Sequence, residues 1–191
     1  IPHKKLIKVL NKYVSDRTVL NLINQWLKAG YMEEGKLLKS ENGTPQGGVI
    51  SPLLANVYLN ELDWEWDLHG IRFVRYADDF LLFAKTKEDI EKAASLTKEK
   101  LKELELEIAR EKTKVVDFNH DDFDFLGFTF HHWRQWKEGK EPTFLVTPKE
   151  ESIKDFRLKI KEKTRKTLTL SKEEWINRVN PIIRGKVNYY I

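Results

Sequence analysis

Two short stretches of this sequence contain residues that could do chemistry, and the first is a pair of adjacent acids. Asp78 and Asp79 stand side by side between apolar runs, in the segment YADDF. Neighbouring carboxylates repel each other and favour a compensating cation. Their oxygens suit Mg²⁺, which proteins hold with one or two carboxylates and substrate phosphates. A metal pair there would serve phosphoryl transfer, with one ion activating a hydroxyl and the other neutralising pyrophosphate. An ordinary Asp-containing turn is the alternative.

The second stretch is GTPQGGVISP, residues 43–52. Its glycines allow a substrate to approach the backbone closely, because no side chain obstructs it. Gln46 carries both a donor and an acceptor, which suits hydrogen bonds to such a substrate. A helix that starts after this stretch would turn free N–H groups toward phosphate. The alternative is that the glycines and prolines only shape a loop.

The elements around these stretches predict how both are positioned. Ser51-Pro52 has a capping hydroxyl and a proline at the first helical position, which predicts a helix running to about Asp67 and ended by Gly70. The apolar runs IRFVRY and FLLFA then flank residues 77–79. This pattern predicts a β-hairpin with the carboxylates at its bend.

Further along the chain the pattern alternates again before it becomes helical. Residues 114–118 and 123–130 are strand-like, and residues 131–147 resemble a second arm. Helices are predicted from about Lys149, the second of them opened by the capping box Ser171-Lys-Glu-Glu174. Helices mixed with short strands, followed by helices alone, predict an α+β domain over residues 1–147 and a small helical domain over 148–191.

Composition limits the class of protein. The chain has 191 residues, 40% of them hydrophobic, no cysteine and a net charge of +4. It has no apolar run long enough to span a membrane, and the lack of cysteine fits a reducing cytoplasm. Residues 148–191 contain 12 Lys and Arg against 6 Asp and Glu. Basic charge gathered at one end is typical of a polyanion-binding surface, and a solvated Lys-rich helix surface is the alternative.

An ordered set of motifs resembles a known family. YADD at 76–79, preceded by GTPQGGVISPLLANVYLNELD at 43–63, resembles the palm of reverse transcriptases, in the form found in bacterial group II intron-encoded reverse transcriptase/maturases. LELEIAREKTKV at 104–115 is similar to the next motif of that family, and FLGF at 125–128 to its primer-grip element. Trp175, VNP at 179–181, RG at 184–185 and NYY at 188–190 resemble the maturase-specific thumb. Lys186 stands where the family form usually has Trp.

The resemblance implies a role for each matching residue. Asp78 and Asp79 would be catalytic metal ligands, with Asp79 the weaker ligand or nearer the primer, and Lys112 would assist the leaving pyrophosphate. Template and nucleotide would lie against Gly43, Pro45, Gln46, Gly47, Tyr76 and Ala77. The primer grip would comprise Phe125, Leu126, Gly127 and Phe128. The basic thumb residues that would contact RNA phosphates are Lys159, Lys163, Arg165, Lys166, Arg178 and Arg184. Lys114 is the alternative to Lys112 for this role. Taken singly, either lysine and each basic thumb residue are better explained as solvated, and the two phenylalanines as core.

The implied activity is RNA-directed DNA synthesis with two Mg²⁺ ions, Mn²⁺ being an alternative. The implied partners are an RNA template, a DNA primer, deoxynucleoside triphosphates and structured intron RNA, in the bacterial cytoplasm. In this family a further catalytic Asp lies just upstream of an Ile-Pro-His-like segment, and this chain begins at Ile1-Pro2-His3. We therefore expect a palm-plus-thumb part of a longer enzyme from a mobile element, inactive by itself. CRISPR-associated or retron-type reverse transcriptases, and a non-catalytic RNA-binding module, remain alternatives.

Overall fold

A computed structural model describes residues 1–29, 31–33, 36–38, 49–109, 111–132, 144–165 and 169–190. The backbone is grouped into two compact units, Ile1–Lys114 and Val115–Ile191. Helices and short antiparallel sheets occur together, so the predicted α+β class is confirmed. The predicted functional boundary between residues 147 and 148 stays a prediction.

The described elements alternate between helices and short strands before the chain ends in two helices. In chain order they are α1 His3–Leu10, α2 Arg17–Ala29, β1 Tyr31–Glu33, β2 Lys36–Leu38, α3 Ser51–Leu68, β3 Arg72–Tyr76, β4 Asp79–Phe83, α4 Lys87–Glu103, β5 Phe123–Phe125, β6 Phe128–His132, β7 Phe144–Pro148, α5 Glu150–Lys163 and α6 Lys172–Tyr190. The strands pair as β1–β2, β3–β4 and β5–β6–β7, each pair antiparallel.

The core of the first unit forms where the apolar faces of α1–α4 meet. Leu, Val and Ile recur at helical spacing along α1 and α2, so that each helix turns one apolar face inward. The centre of the cluster lies on α3, where Tyr58, Leu62 and Trp66 are fully buried. Helix α3 also carries the strands that follow it, because the Trp66 ring lies 4.9 Å from the rings of both Phe73 and Phe80.

Two buried polar groups of α3 are hydrogen-bonded, as burial requires. Tyr58 Oη donates to the Leu104 carbonyl at 2.7 Å. Burial, followed by the nearby carboxylates of Glu105, Glu61 and Glu103, raises the pKa of Tyr58 to about 12. The phenol therefore stays protonated and keeps donating well above neutral pH.

Trp66 has a matching polar partner on α4. Its indole Nε1 donates to Thr97 Oγ1 at 2.9 Å, and Thr97 Oγ1 donates to the Ala93 carbonyl at 2.7 Å. Thr97 is buried. This chain of bonds fixes the ring that supports the β3–β4 hairpin, and so ties the hairpin to two helices at once.

The second unit combines a three-stranded sheet with α5 and α6. Helix α6 begins with the predicted capping box: Ser171 N donates to Glu174 Oε2 at 2.9 Å, and Glu174 N donates to Ser171 Oγ at 3.2 Å. Strand β7 leads directly into α5, and Lys149 N donates to the Gly127 carbonyl at 2.8 Å. The start of the helical segment is therefore attached to the β5–β6 turn.

The α3 helix begins and ends as predicted, with one difference. It starts at Ser51 and ends at Leu68, and Gly70 follows with a φ of +65°. Ser51 is itself the first helical residue, and Ile50 occupies the cap position without a side-chain cap hydrogen bond. The proline is placed as expected, in the first turn, where its missing N–H costs nothing.

The strand predicted over residues 114–118 is wrong. These residues form neither helix nor strand, and Val115 is exposed. Asp117 turns the chain locally instead: its Oδ1 accepts from Asn119 N at 3.0 Å, and its carbonyl accepts from His120 N at 3.0 Å. Asp side chains compete with sheet pairing in this way.

Among the described helices, none is both long enough and apolar enough to cross a lipid bilayer.

Candidate active site and nucleic-acid interface

The adjacent carboxylates lie at the tip of the β3–β4 hairpin. Tyr76 pairs with Asp79 at the end of the ladder, so Ala77 and Asp78 form a two-residue turn. Ala77 has a φ of +53°, the left-handed conformation that favours glycine. Both aspartates are exposed. The hairpin therefore presents two acids to solvent on a rigid support.

The two faces of this hairpin differ in environment. Phe73 and Phe80 point inward to Trp66. Because side chains alternate along a strand and Tyr76 is paired with Asp79, these two side chains share the opposite face. Tyr76 is 67% exposed there. An accessible aromatic ring thus lies beside the second carboxylate, where a base or sugar could stack.

Arg75 is a site residue that the sequence interpretation missed. Its Nε donates to Asp63 Oδ1 at 2.7 Å, and its Nη1 donates to Asn56 Oδ1 at 2.9 Å and to the Ala77 carbonyl at 2.8 Å. A signal was present, because arginine between apolar residues of a core strand needs a carboxylate partner. The sequence did not show which acid that was.

Lys112 lies in the irregular segment after α4. Its backbone N donates to the Ala109 carbonyl at 3.0 Å, as does Thr113 Oγ1 at 3.0 Å. The Lys112 side chain is exposed. These local bonds shape the segment, and the role of Lys112 toward pyrophosphate stays a prediction.

The FLGF segment is the β5–β6 hairpin turn. Phe125 pairs with Phe128, and the two residues between them have positive φ, +49° for Leu126 and +77° for Gly127. Positive φ at both central positions matches the right-handed twist of the strands. The sequence predicted a bend or a close backbone approach at Gly127, and both occur. A Cβ on Gly127 would lie 3.1 Å from Tyr190 Oη.

The last residues of α6 hold this turn. Tyr189 Oη donates to the Leu126 carbonyl at 2.7 Å, and Tyr190 Oη donates to the Gly127 carbonyl at 3.0 Å. The Phe128 ring packs against both of theirs, 5.6 Å from Tyr189 and 4.8 Å from Tyr190, and the two tyrosine rings are 4.9 Å apart. From the sequence these tyrosines were identified only as part of a motif, because the sequence does not show which residues they contact.

Lys186, where the motif departs from its usual form, completes this cluster. Its Nζ donates to the Ser152 carbonyl at 2.7 Å and lies 4.5 Å from the centre of the Tyr190 ring. Ser152 Oγ and Tyr190 Oη are 2.6 Å apart. The lysine therefore joins α6 to α5 through the hydrogen bond to Ser152, and it makes a cation–π contact with Tyr190 within α6.

The basic residues predicted to bind RNA are exposed wherever the structure describes them. Lys159 and Lys163 lie one turn apart on α5, so they share a face. Arg178 and Arg184 of α6 are six residues apart and do not share one. Five of the six are exposed: Lys159, Lys163, Arg165, Arg178 and Arg184. The sixth, Lys166, lies outside the described residues.

Four residues predicted to contact template and nucleotide also lie outside the described residues. They are Gly43, Pro45, Gln46 and Gly47. Their roles stay predictions from sequence.

The comparison with protein families gives the class of protein that this arrangement belongs to. The family model described as reverse transcriptase (RNA-dependent DNA polymerase) matches residues 1–130. The chain therefore belongs to the reverse transcriptase family. A second model, the group II intron maturase-specific domain, matches residues 153–191. The predicted subtype, the group II intron maturase, is thus confirmed.

Curated relatives match the chain over different lengths. Protein YkfC of Escherichia coli is 31% identical in an alignment that covers 66% of this chain and 42% of that protein. Group II intron-encoded protein LtrA of Lactococcus lactis is 51% identical over 63 residues, 33% of this chain and 10% of LtrA. An uncharacterized 91 kDa protein in the cob intron of Schizosaccharomyces pombe is 27% identical in an alignment that covers 100% of this chain and 33% of that protein. The chain spans less than half the length of each.

Reverse transcriptases use divalent metal ions. Within the part of the chain that the structure describes, no three metal-ligating side chains meet. The exposed carboxylates of Asp78 and Asp79 do fit a hard divalent cation, because they offer only oxygen donors at one tight turn. The turn thus fits as part of a metal site whose remaining ligands come from elsewhere.

Proposed function

We propose that this chain supplies the palm and thumb of an RNA-directed DNA polymerase of the group II intron maturase type. The reaction is nucleotidyl transfer: the primer 3′-hydroxyl oxygen bonds to the α-phosphorus of a deoxynucleoside triphosphate, the α–β phosphoanhydride bond breaks, and pyrophosphate leaves. The observation that carries this proposal is the rigid β3–β4 turn that presents Asp78 and Asp79 within a reverse transcriptase family match.

In the proposed site Asp78 and Asp79 hold divalent ions, which we take to be two Mg²⁺, with Mn²⁺ as an alternative. When bound, such ions stabilise charge on the attacking and leaving oxygens. The work of the hairpin is to keep both carboxylates in place before substrate arrives, so that the reaction pays no reorganisation cost. Tyr76, exposed beside Asp79, orients the primer end or nucleotide by contact with its ring, and Ala77 sets the turn. Lys112 is proposed to stabilise the leaving pyrophosphate.

Two further segments are proposed to contact template and primer. Gly43, Pro45, Gln46 and Gly47 are proposed to contact the template and nucleotide. The turn at Phe125–Phe128 is proposed as the primer grip. Its two carbonyls are held by tyrosine hydroxyls, which supports a fixed rather than an adaptable surface.

The helical end is proposed to bind structured intron RNA through its exposed basic residues. Contacts to phosphate supply affinity without reading sequence. The maturase-specific match over residues 153–191 favours an intron RNA over the CRISPR-associated and retron-type alternatives. The bacterial cytoplasm is the proposed compartment, since nascent intron RNA and nucleotides are available there.

The experiment that tests the proposal is Asp78→Asn in the natural full-length protein. Primer extension on an RNA template should fall at least about 100-fold, because a ligand of the ions that would stabilise the transition state is lost. Binding of intron RNA should stay within about twofold of the unmodified protein, since phosphate contacts lie elsewhere. Asp67→Asn is the matched control: it removes an exposed carboxylate at the end of α3, and activity should be unchanged.

Full primer extension by the Asp78→Asn protein would refute the assignment of the active site. Parallel loss of extension and RNA binding would also count against it, because that pattern indicates misfolding. If the unmodified protein extends no primer on RNA or DNA but binds intron RNA, the non-catalytic RNA-binding alternative holds.

A further inference from the structure

The Arg75 guanidinium connects the catalytic turn to helix α3. Nε donates to Asp63 Oδ1 at 2.7 Å, and Nη2 pairs with Asp63 Oδ2. Nη1 donates to Asn56 Oδ1 at 2.9 Å and to the Ala77 carbonyl at 2.8 Å. One planar group thus bonds to a carboxylate, an amide and a backbone carbonyl. Lysine cannot reproduce this geometry, because its three donors diverge from a single nitrogen.

The pairing of Arg75 with Asp63 is sheltered from solvent, whereas Asn56 and Ala77, which accept from Nη1, are exposed. The side chains of Arg75 and Asp63 are only 11% and 19% exposed, so water and salt screen their attraction less than on an open surface. The pairing with Asp63 is bidentate, which fixes the orientation of the guanidinium plane as well as its position. The bonds to Asp63, which lies outside the turn, therefore hold Nη1 where it reaches the Ala77 carbonyl.

The turn needs such support at one residue. Ala77 has a φ of +53°, a conformation that non-glycine residues avoid and that persists only when the surroundings hold it. The carbonyl that Arg75 binds belongs to this residue. The Ala77 carbonyl and the Asp78 nitrogen belong to the same planar peptide group. The hydrogen bond from Arg75 therefore limits backbone rotation next to Asp78.

The hairpin does not depend on Arg75 for its attachment. Trp66 packs against Phe73 and Phe80, and five residue pairs join β3 to β4. Loss of the Nη1 bonds should therefore loosen the turn while the strands stay in place. This separates a role in positioning from a role in folding.

We propose that Arg75 is a positioning residue for nucleotidyl transfer, with Asn56 and Asp63 as its supports: it locks the Ala77–Asp78 peptide to α3, so that the Asp78 carboxylate keeps its catalytic orientation. The inference rests on the function proposed above. It assigns to a strand arginine and two residues of α3 a role that neither the family matches nor the motif resemblance gives them.

Arg75→Lys in the natural full-length protein is the main test. The lysine keeps the positive charge beside Asp63 but cannot also reach Asn56 and Ala77 in one plane. The kcat of primer extension should fall about 10- to 100-fold, since small misplacement of a reacting group has effects of this size. KM for primer–template should change less than about twofold, and the Mg²⁺ concentration for half-maximal rate should rise.

A matched pair of variants on α3 separates the turn from the helix. Asn56→Ala removes an acceptor of Nη1 and should lower kcat in the same direction, by less than Arg75→Lys. Asn60→Ala makes the same chemical change one turn later, where the amide donates to Tyr13 Oη at 3.2 Å. Its kcat should equal that of the unmodified protein.

Hydrogen exchange of the amides at 77–79 gives a readout that needs no polymerase activity. Exchange should be faster in Arg75→Lys and Asn56→Ala and unchanged in Asn60→Ala. If the unmodified protein fails to extend any primer, the proposed function fails, and this exchange still decides whether Arg75 holds the Ala77–Asp78 turn. Unchanged exchange, an unchanged kcat, or equal effects of Asn56→Ala and Asn60→Ala would overturn it. A KM increase with unchanged kcat would overturn it too.

Discussion

Gly127→Ala is the substitution for which the structure gives the sharpest expectation. Gly127 is the second central residue of the β5–β6 turn, with a φ of +77°. The added methyl carbon would lie 3.1 Å from Tyr190 Oη. That hydroxyl is held in place, because it donates to the Gly127 carbonyl at 3.0 Å and lies 2.6 Å from Ser152 Oγ. The tyrosine therefore cannot retreat without straining these bonds.

The expected cost has two parts. A side chain in the left-handed region costs about 1–2 kcal/mol, and this part applies at any exposed turn. Displacement of Tyr190 weakens at least one hydrogen bond that contributes about 1 kcal/mol. We therefore expect Gly127→Ala to lower the free energy of unfolding by about 2–3 kcal/mol in all.

Gly70→Ala separates the two parts. Gly70 has a similar φ of +65°, and a Cβ there meets no atom within 4 Å. It should show only the backbone cost of about 1–2 kcal/mol. Urea denaturation followed by far-ultraviolet circular dichroism measures both variants against the unmodified protein, provided that the m-values agree.

A double variant completes the assay. In Gly127→Ala with Tyr190→Phe, the hydroxyl that the methyl would crowd is gone, so the two changes should cost less together than the sum of their separate costs. Equal destabilisation by Gly127→Ala and Gly70→Ala would show that the added methyl does not clash with Tyr190. Additivity of the Gly127 and Tyr190 changes would show the same. Under the proposed function, Gly127→Ala should also weaken primer–template binding, and Gly70→Ala should not.

Three further expectations follow from described contacts. Tyr58→Phe should flatten the loss of stability at high pH. The pKa of Tyr58 is about 12 when folded and about 10 when unfolded, so the stabilisation from the phenol is complete below pH 10 and is lost as pH rises through 12. An unaltered urea–pH profile in the variant would contradict this. Thr97→Val should cost about 1–3 kcal/mol in urea denaturation, because the Trp66 indole N–H loses its buried acceptor; a cost below about 0.5 kcal/mol would be inconsistent with that bond. Replacing Lys159 and Lys163 with Gln should reduce the slope of log affinity for RNA against log salt by about 1–2, and an unchanged slope would remove this face of α5 from the RNA interface.

The β3–β4 turn with Asp78 and Asp79 is a feature that the local sequence pattern could predict. The short apolar runs on both sides of Asp78 and Asp79 predicted a hairpin, and a two-residue bend between paired strands leaves the acids at the tip. These are short-range consequences of the chain, because strand alternation and turn preference act over a few residues. The same holds for the capping box at Ser171 and Glu174.

The failed strand at residues 114–118 shows the limit of such pattern. A strand needs a partner, and partners are chosen by the fold rather than by the segment. Here Asp117 supplies local hydrogen bonds instead. The apolar character of Val115 was therefore not evidence of pairing, and its side chain is exposed.

The α+β class, the hairpin and the residue types of the proposed phosphoryl-transfer site could be predicted from the sequence, because periodicity, turn chemistry and carboxylate chemistry are local properties. The fold was needed to show that Arg75 joins Asp63 and Asn56 to the Ala77 carbonyl, and that Tyr189 and Tyr190 hold the Leu126–Gly127 turn. The tyrosine contacts join residues 63 positions apart, and those of Arg75 span 12 and 19 residues. Such contacts depend on how helices and strands pack, which no local pattern records.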